Sequence, residues 1–477
     1  MATQNKASAL TKSIINQAWI IVLGAIAPLL DSTMVNIAIN NLAKSFNSSL
    51  STIQWVVTGY LLAMVIAVPF TGWLNDKFGG KTVFLGAEVL FGVASLCAAI
   101  SGNIGILIGF RFVQGFSAGL ITPLLTTLLV DVAGAGAMGR LMAIVGLPIM
   151  LGPIVGPVIG GLIVQYLNWR WIFFINIPVA IIASLLIWFK LPTIKAKKPD
   201  AKFDWLGVTL LSGMSASIVY GIVQASSKTS FTNSTTLAYL ATGLVLMIGY
   251  AVYASFRKQN AVVPLLLFKH LNFSGSMIGL FLAGVATNDP MLLLPLFFQN
   301  LRNQSVAMAG LSLIPQGIGM LLSRPFVGRL IDSIGARFVT IGGLIVTLIG
   351  SIPFIYFDQN TDYWLLMIVL FIRGIGAGAI ITPLMTDSFV GVDRQLSGQV
   401  SIATRTMQNI GGAFGSAMLA TIVVNYQSQH VQTLATIASS YQQGFLWAVI
   451  FTALLIVPSL LLTNHLRLKV AHQEVSK

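Results

Sequence analysis

Gly72-Trp73-Leu74-Asn75-Asp76-Lys77-Phe78-Gly79-Gly80-Lys81 returns later in the chain as Gly328-Arg329-Leu330-Ile331-Asp332-Ser333-Ile334-Gly335-Ala336-Arg337, displaced by 256 positions. Glycine, leucine, aspartate, glycine and a basic residue hold the same places in both. A second pair, Thr122-Pro123-Leu124-Leu125-Thr126 and Thr382-Pro383-Leu384-Met385-Thr386, recurs at 260. Two unrelated matches at nearly one offset mark an internal duplication. Each copy of the loop follows a long apolar run, so the duplicated unit is a set of apolar helices.

Composition says where those helices reside. Of 477 residues 56% are hydrophobic and 8% charged, against roughly a quarter charged in soluble domains. Lipid favours this balance and water does not. The 45 glycines suit close helix packing in a bilayer. Runs of about 20 apolar residues predict fourteen spans, with cores near 17–38, 53–72, 82–101, 104–128, 139–166, 171–191, 205–224, 236–256, 272–297, 307–328, 338–357, 363–386, 398–424 and 443–465. The short alternating strands of a membrane barrel are absent from these runs. The expected fold is all-α and integral to the membrane. It has a six-helix half over 1–191, two additional helices with their loops over 192–271, and a second six-helix half with a tail over 272–477. Parallel halves of this kind are a transporter architecture, with the substrate expected near mid-membrane between them.

The net charge of +14 follows from topology. Nineteen of the 27 lysines and arginines fall on the side of the termini and four on the opposite side. Basic residues stay cytoplasmic during insertion, so both termini are expected in the cytoplasm of a multi-pass protein of the inner or plasma membrane. The basic residues are not gathered on one soluble domain, as nucleic-acid binding requires. The single Cys97 excludes an intramolecular disulfide framework.

The repeated loop has a physical reading. Gly72 and Gly79 permit a tight turn. Asp76 can accept from backbone N–H groups or pair with an arginine, and Lys81 anchors the next helix on the cytoplasmic side. With Asp332 and Arg337 in the second copy, these residues form a candidate latch, made in one conformer and broken in another.

Further motifs sharpen the picture. The first span carries Leu30-Asp31-Ser32-Thr33-Met34-Val35-Asn36-Ile37-Ala38, and the second opens Gln54-Trp55-Val56-Val57-Thr58-Gly59-Tyr60. The fifth holds Pro148 and then Gly152-Pro153, Gly156-Pro157 and Gly160-Gly161, followed by Asn168-Trp169-Arg170-Trp171 and Asn176-Ile177-Pro178. With the paired loops, this set resembles the major facilitator superfamily, and within it the fourteen-span drug:proton antiporters of the EmrB and QacA type. The resemblance extends over nearly the whole chain, with Asn40 departing from the proline usual after the first-span motif. It implies proton-driven export of hydrophobic, often cationic compounds, with protons as the coupling ion and no other cofactor. It also identifies Pro148, Gly152, Pro153, Gly156, Pro157 and Gly160 as the antiporter motif.

Charges inside a bilayer are costly and mark function. Asp31 in the first span and Asp289 in the ninth stand 258 positions apart, and Arg111 and Arg373 stand 262 apart, both close to the repeat offset. Asp31 and Arg111 fall at similar depth, so an aspartate–arginine relationship is expected in each half. Burial disfavours a carboxylate's charged form and a neighbouring arginine favours it. A carboxylate held in that balance can exchange a proton against a cationic substrate. Asp31, Asp289 and Glu88, with Arg111, are therefore the candidate coupling residues.

Gly152, Gly156 and Gly160, spaced four apart, give one smooth helix stripe, with prolines beside it that let the helix bend. Such a surface is expected to pack where the halves rock. Trp55, Tyr60, Met64, Phe116, Arg373 and Arg405 are candidate cavity residues, together with Met291, Phe297 and Phe298. No phosphate-binding glycine loop, metal-ligand cluster or nucleophile–base pair is found, which argues against ATP drive and against an enzyme. The leading function is proton-coupled export of hydrophobic or cationic drugs or toxic compounds by alternating access, with the lipid bilayer as the only other evident partner. Export of one metabolite, amphiphile or lipid is the alternative within transport. A non-transporting membrane sensor is the alternative from outside it.

Overall fold

The computed structural model describes residues 11–133, 141, 144–145, 155–156, 159–193, 196, 199–200, 202–393, 396–431 and 433–464. The side chains of 40, 50, 51, 259, 287–292, 306 and 307 lie outside that description. The regular secondary structure of the described residues is all helical, with no strand among them. The main helices are α1 (Lys12–Ile37), α2 (Leu50–Ala67), α3 (Phe70–Phe78), α4 (Gly80–Ala99), α5 (Ile104–Ala133), α6 (Asn176–Lys190), α7 (Trp205–Ser227), α8 (Ser234–Arg257), α9 (Leu271–Leu296), α10 (Ile314–Ile334), α11 (Ala336–Ser351), α12 (Tyr363–Gly378), α13 (Ser397–Ser428) and α14 (Leu434–Leu454).

Among the described residues ten helices are long and apolar enough to cross a membrane, or up to eleven when one bent pair counts as a single span. Four expected spans are not among these ten. Much of the fifth lies outside the described residues. In the ninth, α9, the side chains of 287–292 lie outside the description, which leaves Leu271–Ala286 as its described apolar stretch. The tenth, α10, is diluted by Arg324, Arg329 and Asp332. The second expected span, 53–72, is not one straight helix: α2 and α3 meet at a 54° bend. Pro69 stands at the break, where its missing N–H and its ring interrupt the helical ladder.

Two compact units emerge, Met1–Val208 with Val392–Ile402, and Thr209–Gly391 with Ala403–Lys477. In the first, α2 lies along α5 because α5 presents glycines to it. A Cβ at Gly115 would collide with the backbone carbonyl of Tyr60, and one at Gly119 with that of Met64. In the second unit α10 lies along α12 by the same device: Gly374 faces the Gln316 carbonyl and Gly378 faces Met320. The repeat read in the loops is thus present in the helix contacts, residue for residue. Backbone approach of this closeness gains dispersion contacts where lipid offers no hydrophobic drive between helices.

The latch loops also fold alike. Gly79 and Gly335 adopt φ of +81° and +88°, a region glycine enters without strain. Each donates its N–H back to the preceding helix, to the carbonyls of Asn75 and Ile331. Phe297 and Phe298, expected at a cavity wall, are fully buried in the apolar core of the second unit with Phe354, Tyr441 and Phe445. Their size and lack of polar atoms favour the core over a wetted surface.

Candidate functional site

Asp31 sits in α1 with no exposed surface. Its Oδ2 accepts from Arg111 Nη1 of α5 in an ion pair, and its Oδ1 accepts from Asn176 Nδ2 of α6 at 2.9 Å. Arg111, 1% exposed, spreads its donors further. Nε donates to the Val56 carbonyl at 2.9 Å and Nη1 to Gln114 Oε1 at 3.1 Å. Gln114 Nε2 donates to Ser95 Oγ at 2.7 Å, and Ser95 Oγ donates to the Phe91 carbonyl at 2.8 Å. One polar chain therefore links α6, α1, α5 and α4, with α2 contributing a carbonyl.

Aromatic rings close this chain off. The Arg111 guanidinium lies over the Tyr60 ring at 4.2 Å and 5.8 Å from that of Phe173. Tyr60 is 1% exposed, and its hydroxyl donates to the Pro28 carbonyl at 3.2 Å. Tyr60 was expected on a cavity wall and is instead part of the ion pair's enclosure. The cause is Gly115, which brings the α2 backbone close enough for the ring to cover the guanidinium. Two charges out of water are tolerated because they face each other and their remaining groups are hydrogen-bonded.

The described glycines of the fifth-span stripe support the same spot. Gly156 meets Leu30 and Thr33, and Gly160 meets Met34, all on α1 beside Asp31. At these two positions the stripe serves contact within the first unit, because glycine alone lets two helix backbones approach so closely. Pro148, Gly152, Pro153 and Pro157 lie outside the described residues.

Glu88 of α4 is also fully buried, and neither carboxylate oxygen has a hydrogen-bond partner among the described residues. It precedes Ser95 by seven residues, two helical turns along the same face and about 10 Å nearer the Gly80 end of α4. Asp76 is half-buried and Asp332 exposed. Lys81 Nζ donates to the carbonyls of Trp188 and Leu191 at 2.9 and 2.7 Å, where α6 ends. Arg337 Nε donates to the Leu462 carbonyl at 3.1 Å, and its backbone N–H to the Thr463 carbonyl at 3.0 Å. In both units the loop's terminal basic residue donates to backbone carbonyls at or just beyond the end of another helix. Gly72 lies within α3, against the Ile402 side chain.

The second unit holds a related arginine. Arg373 is buried, with Nε donating to Ser351 Oγ at 2.9 Å and Nη1 to Gln316 Oε1 at 3.4 Å. The Asp289 side chain lies outside the described ones, and with it the second expected aspartate–arginine pair. Among the other cavity candidates, Trp55 is 37% exposed. Met64 and Phe116 are half-buried, and Phe116 meets the Phe70 ring edge-on at 5.7 Å. Arg405 is half-buried and donates to Gln408 Oε1 at 3.1 Å. No group of metal-ligating side chains occurs among the described residues.

Sequence reasoning missed Asn176, Gln114 and Ser95. Gln114 was within reach, three residues beyond Arg111 on the same helix face. Asn176 stood in a motif already singled out. Ser95 carried no sequence signal.

Residues 21–416 match the family described as Major Facilitator Superfamily. A multidrug resistance protein B homolog of Mycobacterium tuberculosis is 30% identical over 425 residues, covering 89% of this chain and 78% of the relative. A lincomycin resistance protein LmrB of Listeria innocua is 29% identical over 442 residues, 91% of this chain and 93% of the relative. Among solved structures, the human organic anion transporter MFSD10 aligns with a TM-score of 0.63 at 16% identity, over 94% of this chain and 99% of that one. The proton:xylose symporter XylE aligns with a TM-score of 0.63 at 17% identity, over 93% and 96%. At these identities the two structures speak to the fold alone.

Proposed function

The chain belongs to the major facilitator superfamily, and from that premise we propose that it exports hydrophobic and cationic compounds, drugs among them, from the cell in exchange for protons. It is a multi-pass protein of the cell membrane, and the asymmetry of its basic residues favours cytoplasmic termini. The names of its relatives, multidrug and lincomycin resistance proteins, support drugs as cargo.

The observation that carries the proton half of this reading is the enclosed Asp31–Arg111 pair. Nothing at Asp31 is open to a bulky cation, because Arg111, Asn176 and Tyr60 occupy its surroundings. A proton is the one cation small enough to reach it without dismantling the site. Protonation of Asp31 cancels its charge and frees Arg111 from the pair, and loss of the proton restores the attraction. That change is felt at once by α1, α2, α4, α5 and α6, which share the chain of hydrogen bonds. Two arrangements of one polar network, biased by a proton, are a physical basis for coupling. Each charge returned across the membrane supplies about 2.3 kcal/mol per 100 mV. Glu88, farther along the Ser95 face of α4, is the second proton-carrying candidate.

Everted membrane vesicles test the reading. Once a proton gradient is established, adding ethidium is expected to discharge part of it in vesicles holding this protein and not in control vesicles. No discharge by ethidium or by a lincosamide would remove drug:proton exchange from consideration.

A further inference from the structure

Along α13 the half-buried polar residues Arg405, Gln408, Asn409 and Ser416 share one side of the helix with Ala413 and Ala420, while the half-buried Met407, Phe414 and Met418 occupy the other. From 397 to 423 no α13 residue is exposed as lipid-facing residues are; Val245 and Ile248 on α8 are 67% and 56% exposed. A polar, partly accessible face inside a span marks a water-reached surface, because lipid contact there would be costly.

The head of that face is an unmatched cation. Arg405 Nη1 donates to the neutral Gln408 amide, and its Nε has no partner among the described residues. Asn409, one turn on, makes no side-chain hydrogen bond among them. All but two of the 13 acidic residues are described, and none of these forms an ion pair with Arg405. The two others are Glu474 in the tail and Asp289. Asp289 is too far along the bundle. Gly411 packs on Phe281 and Gly415 on Val285, so α9 and α13 run parallel in a register that sets Asp289 level with residue 419. That is fourteen residues, about 21 Å of rise, from Arg405.

We propose that Arg405, Gln408 and Asn409 form a recognition site for an acidic group, a carboxylate above all, carried on an otherwise apolar ligand. The guanidinium supplies the charge and free donors, the Asn409 amide supplies a further donor one turn away, and Gln408 holds the guanidinium in place. This refines the cargo of the exporter described above toward zwitterionic and acidic amphiphiles, and for transport it rests on that reading. Binding does not, so the two are tested separately.

The probes are tetramethylrhodamine, which carries a free carboxylate, and its methyl ester, which shares the same cationic ring system without it. Fluorescence anisotropy would be read with the purified protein in phosphatidylcholine nanodiscs, against empty nanodiscs. The acid is expected to bind about tenfold tighter than the ester, the scale of one charged hydrogen bond. Arg405→Gln should remove that preference while leaving the ester within about twofold, and Asn409→Ala should weaken the acid by a smaller factor in the same sense. Repetition with phosphatidylglycerol separates sources: competition that vanishes in Arg405→Gln assigns the acidic group to a lipid headgroup. Equal binding of acid and ester by the unmodified protein, or binding of neither, overturns the proposal whatever the variants do. Equal weakening of both dyes in both variants overturns it too, leaving Arg405 as a side chain that only reaches for water.

Discussion

Arg111 closes an ion pair on Asp31 across eighty positions of sequence, and neither side chain reaches solvent. Such a pair is asymmetric in its energetics. Removing one partner strands the other charge in a dry site, at about 3–5 kcal/mol, whereas removing both is far milder. Asp31→Leu and Arg111→Leu should therefore each lower the thermal unfolding midpoint in nanodiscs more than the double variant does. A double variant as damaged as the sum of the singles would mean the two charges do not depend on each other.

The glycine contacts make a paired prediction. Gly115→Val and Gly374→Val place a side chain against the carbonyls of Tyr60 and Gln316 and should destabilise by about 1–3 kcal/mol or more. Gly86 and Gly342, equivalent positions on α4 and α11, have nothing within 4 Å of an added Cβ. Alanine there should be neutral or stabilising by up to about 1 kcal/mol, the helix-propensity difference. Thermal unfolding of the four variants separates the two classes, and a Gly115 variant as stable as the Gly86 variant would contradict the packing account.

Much of this fold could be read from the sequence because a membrane demands long apolar runs, and duplication printed the loop motif twice. The tight turn at Gly79 and Gly335 followed from glycine's freedom, and the meeting of Asp31 with Arg111 from the repeat offset and their similar depth. Other features depend on which helix faces which. Lys81 was legible as an anchor, but not that its anchorage is the carbonyl end of α6, about 110 residues away in sequence. Tyr60 looked like a cavity aromatic because periodicity cannot tell a ring that covers an arginine from one that lines a cleft. Phe297 and Phe298 misled for the same reason. The break at Pro69 had its signal in plain view, and was overridden by the apolar run on either side.

Lys81 and Arg337 carry the next prediction. Lys81→Ala leaves the Trp188 and Leu191 carbonyls without their donor and should cost about 1–3 kcal/mol, with Lys81→Arg retaining most of it. Arg337→Ala should behave alike through Leu462. Hydrogen exchange at the ends of α6 and of the segment before Thr463 reads the effect locally. Unchanged protection at both ends would show that these bonds do not hold the helix ends.

Glu88 separates packing from coupling. Its carboxylate makes no hydrogen bond among the described residues, so Glu88→Gln, which keeps the shape, should leave unfolding within about 1 kcal/mol of the unmodified protein. The same variant should return fewer protons per ethidium exported, measured by simultaneous dye and pH recording. An unaltered ratio would take Glu88 out of the proton path and leave Asp31 alone on it.

The most direct test of the central claim is substrate-evoked proton flux in liposomes loaded with a pH-sensitive dye, for the unmodified protein and for Asp31→Asn. The account expects ethidium to drive proton movement through the unmodified protein. In Asp31→Asn it expects that movement to be lost, because the asparagine amide preserves the shape of the site but can neither carry the proton nor pair with Arg111. Ethidium-evoked proton flux of undiminished size in Asp31→Asn would contradict it.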